Sequence, residues 1–144
     1  MEQDVTYHRL TEDTAPYLEC AEVFDNPVKP DQLDAFVQDV GHELIFARVG
    51  EVVVGFASGV IVLHPDQAPV FFLNEVGVEP EWRRRGIASE LCLRLIDIAR
   101  DRGCKGVWLA TEVDNAPARA LYRSLSARET ADIVVYDWDG AMDT

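Results

Sequence analysis

The stretch VGVEPEWRRRGIA, residues 76–88, decides the fold of this 144-residue chain. It joins the end of an apolar strand to a turn of arginine and glycine, and a long helical pattern follows. A helix N-terminus has unpaired backbone N–H groups and the positive end of the helix dipole, and it therefore binds anions. Gly86 would let a phosphate approach the backbone closely, and the arginines before it add positive charge. The stretch predicts a phosphate-binding turn; the plain alternative is a solvated basic turn at a helix start.

Two common nucleotide-binding motifs are missing around this turn. No Gly-Lys-Ser/Thr follows it, as a nucleoside-triphosphate loop would require. The GxGxxG pattern of dinucleotide-binding folds is also absent. The expected anion is therefore carried by a different kind of ligand.

Outside this stretch, apolar periodicity predicts alternating strands and helices in one α+β domain over residues 1–144. A tight hairpin at Gly50-Glu51 joins two of the strands. Strands are expected over residues 5–10, 44–49, 52–63, 70–78, 106–110, 127–130 and 133–138. Helices are expected from Thr14 to the Asn26-Pro27 break, and over residues 30–40, 86–102 and 117–125.

Charge is distributed unevenly along the chain. There are 13 Lys and Arg against 26 Asp and Glu, a formal net charge of −13. Residues 83–128 hold 10 of the basic residues and 5 of the acidic ones. The acidic surplus argues against a nucleic-acid partner and fits a polycationic one, or solubility alone. The basic middle segment favours a locally anionic ligand.

Composition also bears on compartment and metal content. The three cysteines form no close pair, so reduced thiols in the cytoplasm are expected. The three histidines have no metal-ligand spacing, and no metal is expected. No apolar run approaches the roughly 20 residues of a membrane span, and the N-terminus shows no signal sequence.

Two motifs resemble the GCN5-related N-acetyltransferase (GNAT) superfamily. Arg83-x-x-Gly86-x-Ala88 matches its R/Q-x-x-G-x-G/A signature, and residues 115–122, NAPARALY, resemble its N-x-x-A-x-x-L-Y helix. The resemblance covers about residues 5–138. It implies a mixed, mostly antiparallel sheet splayed between strands four and five and flanked by about four helices.

The resemblance further implies acetyl-CoA as the co-substrate. Its pyrophosphate would lie on the backbone amides of residues 84–89, and its pantetheine arm would lie in the strand gap against Val76 and Val78. The residues expected to bind it are Val76, Gly77, Val78, Arg83, Arg84, Arg85, Gly86, Ile87, Ala88, Ser89, Asn115 and Tyr122.

Two residues are expected to be catalytic. An ammonium group must lose a proton before it attacks a thioester, and Glu75 would accept that proton. Strand alternation would place Glu75 on one face with Leu73 and Gly77. Tyr122 would donate a proton to the departing CoA thiolate, and the backbone N–H of Val76 would stabilise the oxyanion. The alternatives are a surface carboxylate and a packing tyrosine.

A narrower resemblance is to the aminoglycoside 3-N-acetyltransferase type I family. Residues 74–78, NEVGV, correspond to its Y-D-L-A-V strand, and residues 136–139, YDWD, to its F-D-I-D terminus. Glu75 stands where that family has Asp. The resemblance implies acetylation of the 3-amine of 2-deoxystreptamine antibiotics, and hence antibiotic resistance. Carboxylates expected to bind the cationic acceptor are Asp25, Glu75, Glu112, Asp137 and Asp139, the last two on one face of the final strand.

Two other functions remain open at this stage. One is an N-acetyltransferase for another polyamine or for a peptide amine, and the other is a non-catalytic acyl-CoA-binding module. The sequence does not decide between a monomer and a homodimer.

Overall fold

The computed structural model describes residues 4–140, in which the strands form a single sheet. The strands are β1 Thr6–Arg9, β2 His42–Val49, β3 Val52–Val62, β4 Val70–Val78 and β5 Val107–Trp108. The helices are α1 Pro30–Gln38, α2 Ile87–Asp101 and α3 Ala116–Ser124, with 3₁₀ turns at Ala15–Leu18 and Pro80–Trp82.

The strands follow the chain in the order β1–β2–β3–β4–β5. The first three pairings are antiparallel, and β4 and β5 are parallel because α2 carries the chain back between them. A two-residue turn joins β2 to β3, with Gly50 at a φ of 56°. The prediction of an α+β fold with a mixed, mostly antiparallel sheet is confirmed.

Each face of the sheet has its own apolar layer. On one face a buried cluster packs against side chains from the 3₁₀ turn, the following loop and α1; its members are Leu18, Leu44, Phe46, Val53 and Phe56. On the other face α2 packs on β2, β3 and β4. Gly55 allows α2 to lie close to β3, because a Cβ there would lie 3.2 Å from side-chain atoms of both Ile87 and Leu91.

A β-bulge interrupts β4. Ser58 pairs with Glu75, but the next residue, Gly59, pairs with Leu73, so Asn74 is an extra residue on β4. The bulge reverses the alternation of side chains beyond it. Glu75 therefore shares a face with Gly77, as expected, but not with Leu73, and that part of the prediction is wrong.

Buried charge ties the sheet to the end of α2. The Glu43 side chain, 6% exposed, accepts hydrogen bonds from Arg9 at 2.9 and 2.6 Å and from Arg102 at 2.5 Å. Arg102 also donates to the Val40 carbonyl at 2.6 Å. Removing either arginine would leave the buried Glu43 charge less compensated and would therefore destabilise the β1–β2 edge.

Several expected elements differ from the structure. The first helix is only the 3₁₀ turn, since Leu18, Val23 and Phe24 reach the core from a turn and a loop. The strands expected over residues 127–130 and 133–138 are not formed. Within residues 4–140 no neighbouring strand forms hydrogen bonds with the backbone of these segments. The apolar side chains from Ile133 to Tyr136 are exposed. There are three α-helices in this range where about four were expected.

The chain divides into two compact units, the first ending at Ala110 and the second beginning at Thr111. The sheet belongs to the first unit, and α3 belongs to the second. Each unit is described separately below. None of the helices in the described range is long and apolar enough to cross a lipid bilayer.

Candidate active site

The site in the first unit is built on an open edge of β4. β5 pairs with β4 only at Phe71 and Phe72, whereas β4 continues to Val78. The remaining residues of β4 thus extend past the end of the β5 ladder. This is the splay between strands four and five that the GNAT resemblance implied.

Backbone groups of β4 point into this opening. The Glu79 N–H donates to the Val54 carbonyl at 2.8 Å, so Gly77 also faces β3. Because the direction alternates along a strand, the N–H and C=O groups of Val76 and Val78 face the open side. The Val78 carbonyl accepts a hydrogen bond from Arg83 Nε at 3.1 Å, consistent with that direction. An extended amide-bearing chain could pair with these groups as an added strand.

The α2 N-terminus lies a few residues beyond this edge. Its N-cap is Gly86, at a φ of 79°, and no side chain caps the helix. The first intrahelical N–H is that of Glu90, which donates to the Gly86 carbonyl at 3.1 Å. The N–H groups of residues 87–89 consequently lack intrahelical partners. They fit a phosphate, and a Cβ placed on Gly86 would point into open space, with no protein atom within 4 Å.

The three arginines of the turn play different structural parts. Arg83 holds the β4 edge through Val78, and Arg85 donates to the Glu81 carbonyl at 3.3 Å and lies over the Trp82 ring. Arg84 is exposed and adopts a φ of 64°, which is costly for a residue other than glycine. Strain of this kind concentrates at binding turns.

Glu75 lies on the face of the sheet that carries the 3₁₀ turn and the loop after it. Its side chain is exposed, and its cross-strand partner is Ser58. The Phe24 ring packs 4.3 Å from that of Phe56, next along this face, and the Val23 carbonyl lies 3.6 Å from the Cβ position of Gly77. The loop that carries Asp25, which is exposed, therefore covers the sheet beside Glu75.

Sequence reasoning missed Ser58. It is 5% exposed and is the cross-strand partner of Glu75. Nothing in the apolar pattern of β3 marked this pairing, because it depends on the bulge at Asn74.

In the second unit, Asn115 caps α3. Its side-chain oxygen accepts a hydrogen bond from the Ala118 N–H at 3.2 Å. Tyr122 lies half-buried on the same helix. Glu129 accepts hydrogen bonds from Arg119 at 3.0 and 3.2 Å and from Arg123 at 2.8 Å. These ion pairs connect the segment that follows α3 to the helix itself.

The remaining predicted carboxylates also lie in the second unit. Glu112 is exposed, and its carbonyl accepts from the Asn115 N–H at 3.0 Å. Asp137 accepts a hydrogen bond from the Asp139 N–H at 3.1 Å, which is a local turn. The expectation that Asp137 and Asp139 share one face of a strand is therefore wrong, because no strand forms there.

The structure thus brings together one group of predicted residues in the first unit: Glu75, residues 76–78 and residues 83–89. The second unit carries Glu112, Asn115, Tyr122, Asp137 and Asp139. Two cysteines do not look like nucleophiles, since burial raises the pKa of Cys92 to about 11 and raises that of Cys104. Among residues 4–140 no three His, Cys, Asp or Glu side chains are grouped as metal ligands would be.

Comparison with known proteins identifies the class. Residues 7–126 match the acetyltransferase (GNAT) family. The chain belongs to this family.

Individual relatives carry different names. An aminoglycoside N(6')-acetyltransferase type 1 of Salmonella typhimurium is 29% identical over 122 residues, 76% of this chain and 82% of that protein. A [ribosomal protein bS18]-alanine N-acetyltransferase of the same organism is 39% identical over 74 residues, 51% of this chain and 47% of that protein. A mycothiol acetyltransferase of Thermobifida fusca is 39% identical over 71 residues, and the match spans 49% of this chain and 22% of that protein.

Solved structures share the fold. The aminoglycoside N-acetyltransferase AAC(6')-Iy, in complex with CoA, superposes with a TM-score of 0.78 at 21% identity. The superposition covers 96% of this chain and 97% of that one.

Proposed function

We propose that this chain is an acetyl-CoA-dependent N-acetyltransferase that acts on an amine of an aminoglycoside. One observation carries the proposal: the open edge of β4 leads, through a turn containing Gly86, to an uncapped helix N-terminus. Glu75 lies on the same strand as this edge.

Acetyl-CoA carries chemical groups that match both the open edge of β4 and the N-terminus of α2. The backbone of Val76 and Val78 would bind its amide-bearing arm, and the N–H groups of residues 87–89 would bind its diphosphate. Arg84, exposed on the turn, would add charge attraction. Membership of the family and the CoA complex of a protein of the same fold support this assignment.

Acetyl-CoA supplies a thioester whose acetyl group an unprotonated amine can attack. Glu75 would take the proton from the bound ammonium group, directly or through one water. Tyr122 would donate a proton to the leaving thiolate. Transfer would be direct, since the buried Cys92 has a raised pKa and does not offer a thiolate for an acyl-enzyme.

An aminoglycoside carries several ammonium groups, and a chain of net charge −13 attracts polycations. Asp25 beside the Glu75 face, with Glu112, Asp137 and Asp139, would supply acceptor contacts. The Salmonella typhimurium relative, which matches most of its own length, supports the 6'-amine as target. The resemblance of residues 74–78 and 136–139 to the type I family supports the 3-amine instead.

A second candidate acceptor is the N-terminal amine of a peptide. It is favoured by the match to an acetyltransferase named for the alanine of a ribosomal protein. That match, however, spans about half of each chain.

Thiol release from acetyl-CoA with a panel of amines tests the proposal. The panel contains neomycin, which has a 6'-amine and a 3-amine, paromomycin, which has a 6'-hydroxyl in place of that amine, spermidine and an alanine-terminated peptide. We expect turnover with neomycin; turnover with paromomycin as well would show that the 6'-amine is not required, and mapping the product by NMR would then test the 3-amine. Glu75→Gln should lower kcat by about 100-fold. Turnover with the peptide alone would replace the aminoglycoside with the second candidate.

A further inference from the structure

We propose that Trp108 and Phe72 form an aromatic wall of the acceptor site, on which the amine-bearing sugar ring of the acceptor stacks while Glu75 receives its proton. The inference rests on the proposed function, because it adds a specificity-determining contact to that reaction. Nothing in the apolar run of β5 marked Trp108, since its neighbours are set by the pairing of the strands.

Strand pairing places both rings on the face of the sheet that carries Glu75. Glu75 pairs with Ser58, and two positions further along β3 Val60 pairs with Phe72. Because alternate residues of a strand share a face, the side chains of Glu75 and Phe72 lie on the same side of the sheet. Trp108 pairs with Phe72 across the parallel β4–β5 ladder, and the two ring centroids are 4.5 Å apart.

The same pairing fixes the distance between the aromatic wall and the proposed base. The β3 partners of Glu75 and Phe72 are two residues apart, and a strand rises about 3.3 Å per residue, so the two side chains begin about 7 Å apart. This spacing leaves room for one sugar ring, with its apolar face on the aromatic wall and its amine at the carboxylate.

The aromatic wall is open to a ligand. The Trp108 residue is 53% exposed, whereas Phe71, which precedes Phe72 and lies on the opposite face, is fully buried. Trp108 belongs to the last strand of the sheet in residues 4–140, so no further strand lies beside it in that range. Contiguous exposed aromatic rings bordered by polar groups are typical of a binding surface, unlike a single exposed apolar residue.

A cationic amino sugar is the acceptor that fits this combination of groups. The face of an indole ring carries negative charge density, which attracts ammonium groups and the polarised C–H groups beside them. Glu75 and Asp25, both exposed, add carboxylates on the same side of the sheet. A linear polyamine has no ring face, and an N-terminal alanine presents only a methyl group, so both would gain less from Trp108.

The first test is ¹⁹F NMR of the full chain labelled with 5-fluorotryptophan and saturated with CoA. The Trp108 signal is assigned by its disappearance in Trp108→Phe, and Trp82, which lies against Arg85, serves as the internal reference. Neomycin should shift the Trp108 signal in a saturable way and leave the Trp82 signal in place. An unchanged Trp108 signal would overturn the inference, whether or not neomycin is acetylated. A saturable shift without acetyl transfer would refute the proposed function but keep the aromatic wall as a binding surface.

Kinetics with matched variants separate ring stacking from apolar bulk. Trp108→Leu keeps an apolar side chain without a ring and should raise KM for neomycin about 3- to 30-fold, with an unchanged KM for acetyl-CoA. Trp108→Phe keeps a ring and should stay within about threefold of the parent. Leu93→Ala, which changes an exposed side chain on α2, is the control and should alter neither constant. Active transfer with the same KM for neomycin in the parent and Trp108→Leu would overturn the aromatic wall and leave the proposed function standing.

Discussion

Gly86 is the residue on which the phosphate site depends most directly. Its φ of 79° belongs to the left-handed region, and its missing side chain leaves the first N–H groups of α2 accessible. A residue with a Cβ there would have to adopt a strained backbone and would occupy the space of a bound phosphate.

Gly86→Val should weaken acetyl-CoA binding by at least about tenfold, because its side chain enters the phosphate space next to the helix N-terminus. Gly103→Val is the matched control. Gly103 has a φ of 83°, also has open space around its Cβ position, and follows the C-terminal end of α2. Both variants should lose about 1–2 kcal/mol of stability through backbone strain.

Isothermal titration calorimetry with acetyl-CoA measures the difference. We expect near-normal affinity in Gly103→Val and a large loss only in Gly86→Val. Equal affinities in the two variants would show that the phosphate does not lie at the start of α2.

At the scale of single residues, the sequence identified the turn but not its contacts. The arginine-glycine pattern predicted the basic turn at residues 83–86, and Gly86 adopts the backbone that the prediction needed. The same pattern could not show that Arg83 is bound to the Val78 carbonyl, or that Arg85 lies over Trp82. Those contacts depend on the side-chain directions of a strained turn, which local sequence does not specify.

At the scale of elements, long periodic segments were predictable and short ones were not. The apolar stripe of α2 predicted its position to within a residue or so at each end. The bulge at Asn74 was not visible, because one extra residue changes register without changing composition. It nevertheless decides which face Glu75 occupies. The segment over residues 133–138 has strand-like composition but no partner in the described chain.

The Glu129 cluster makes the stability of the second unit pH-dependent. Hydrogen bonds from Arg119, and next from Arg123, hold the pKa of Glu129 at about 2, below its ordinary value of 4.5. Because the folded-state pKa is the lower one, this contribution to stability is complete above about pH 4.5. It is lost as the pH falls from there toward about 2.

Thermal unfolding followed by circular dichroism tests this dependence. Glu129→Gln should have a lower Tm than the parent at pH 6, and the difference should shrink steadily between about pH 4.5 and about pH 2.5. Glu112→Gln, which removes an exposed carboxylate without an ion pair in the described structure, should show no such trend. If the Tm difference between the parent and Glu129→Gln stays constant with pH, the assigned ion pairs are contradicted.

At the scale of the whole molecule, charge and fold point to the same chemistry. Acidic residues dominate outside residues 83–128, whereas the turn at residues 83–86 is basic. An anionic co-substrate and a cationic acceptor would thus meet regions of opposite charge. The class of fold followed from two motifs, because spacing around a binding turn is tightly constrained. The acceptor did not follow from sequence, since its contacts come from loops and from residues 111–140, whose strands were predicted but do not form.

Transfer of label from [1-¹³C-acetyl]-CoA to neomycin tests the central claim most directly. The chain, the labelled co-substrate and the antibiotic are incubated together, and the product is mapped by NMR. The account predicts one new ¹³C amide signal on an aminoglycoside amine for each CoA thiol released. Label that remains on CoA with neomycin and every other amine offered, although the chain binds acetyl-CoA, would contradict it.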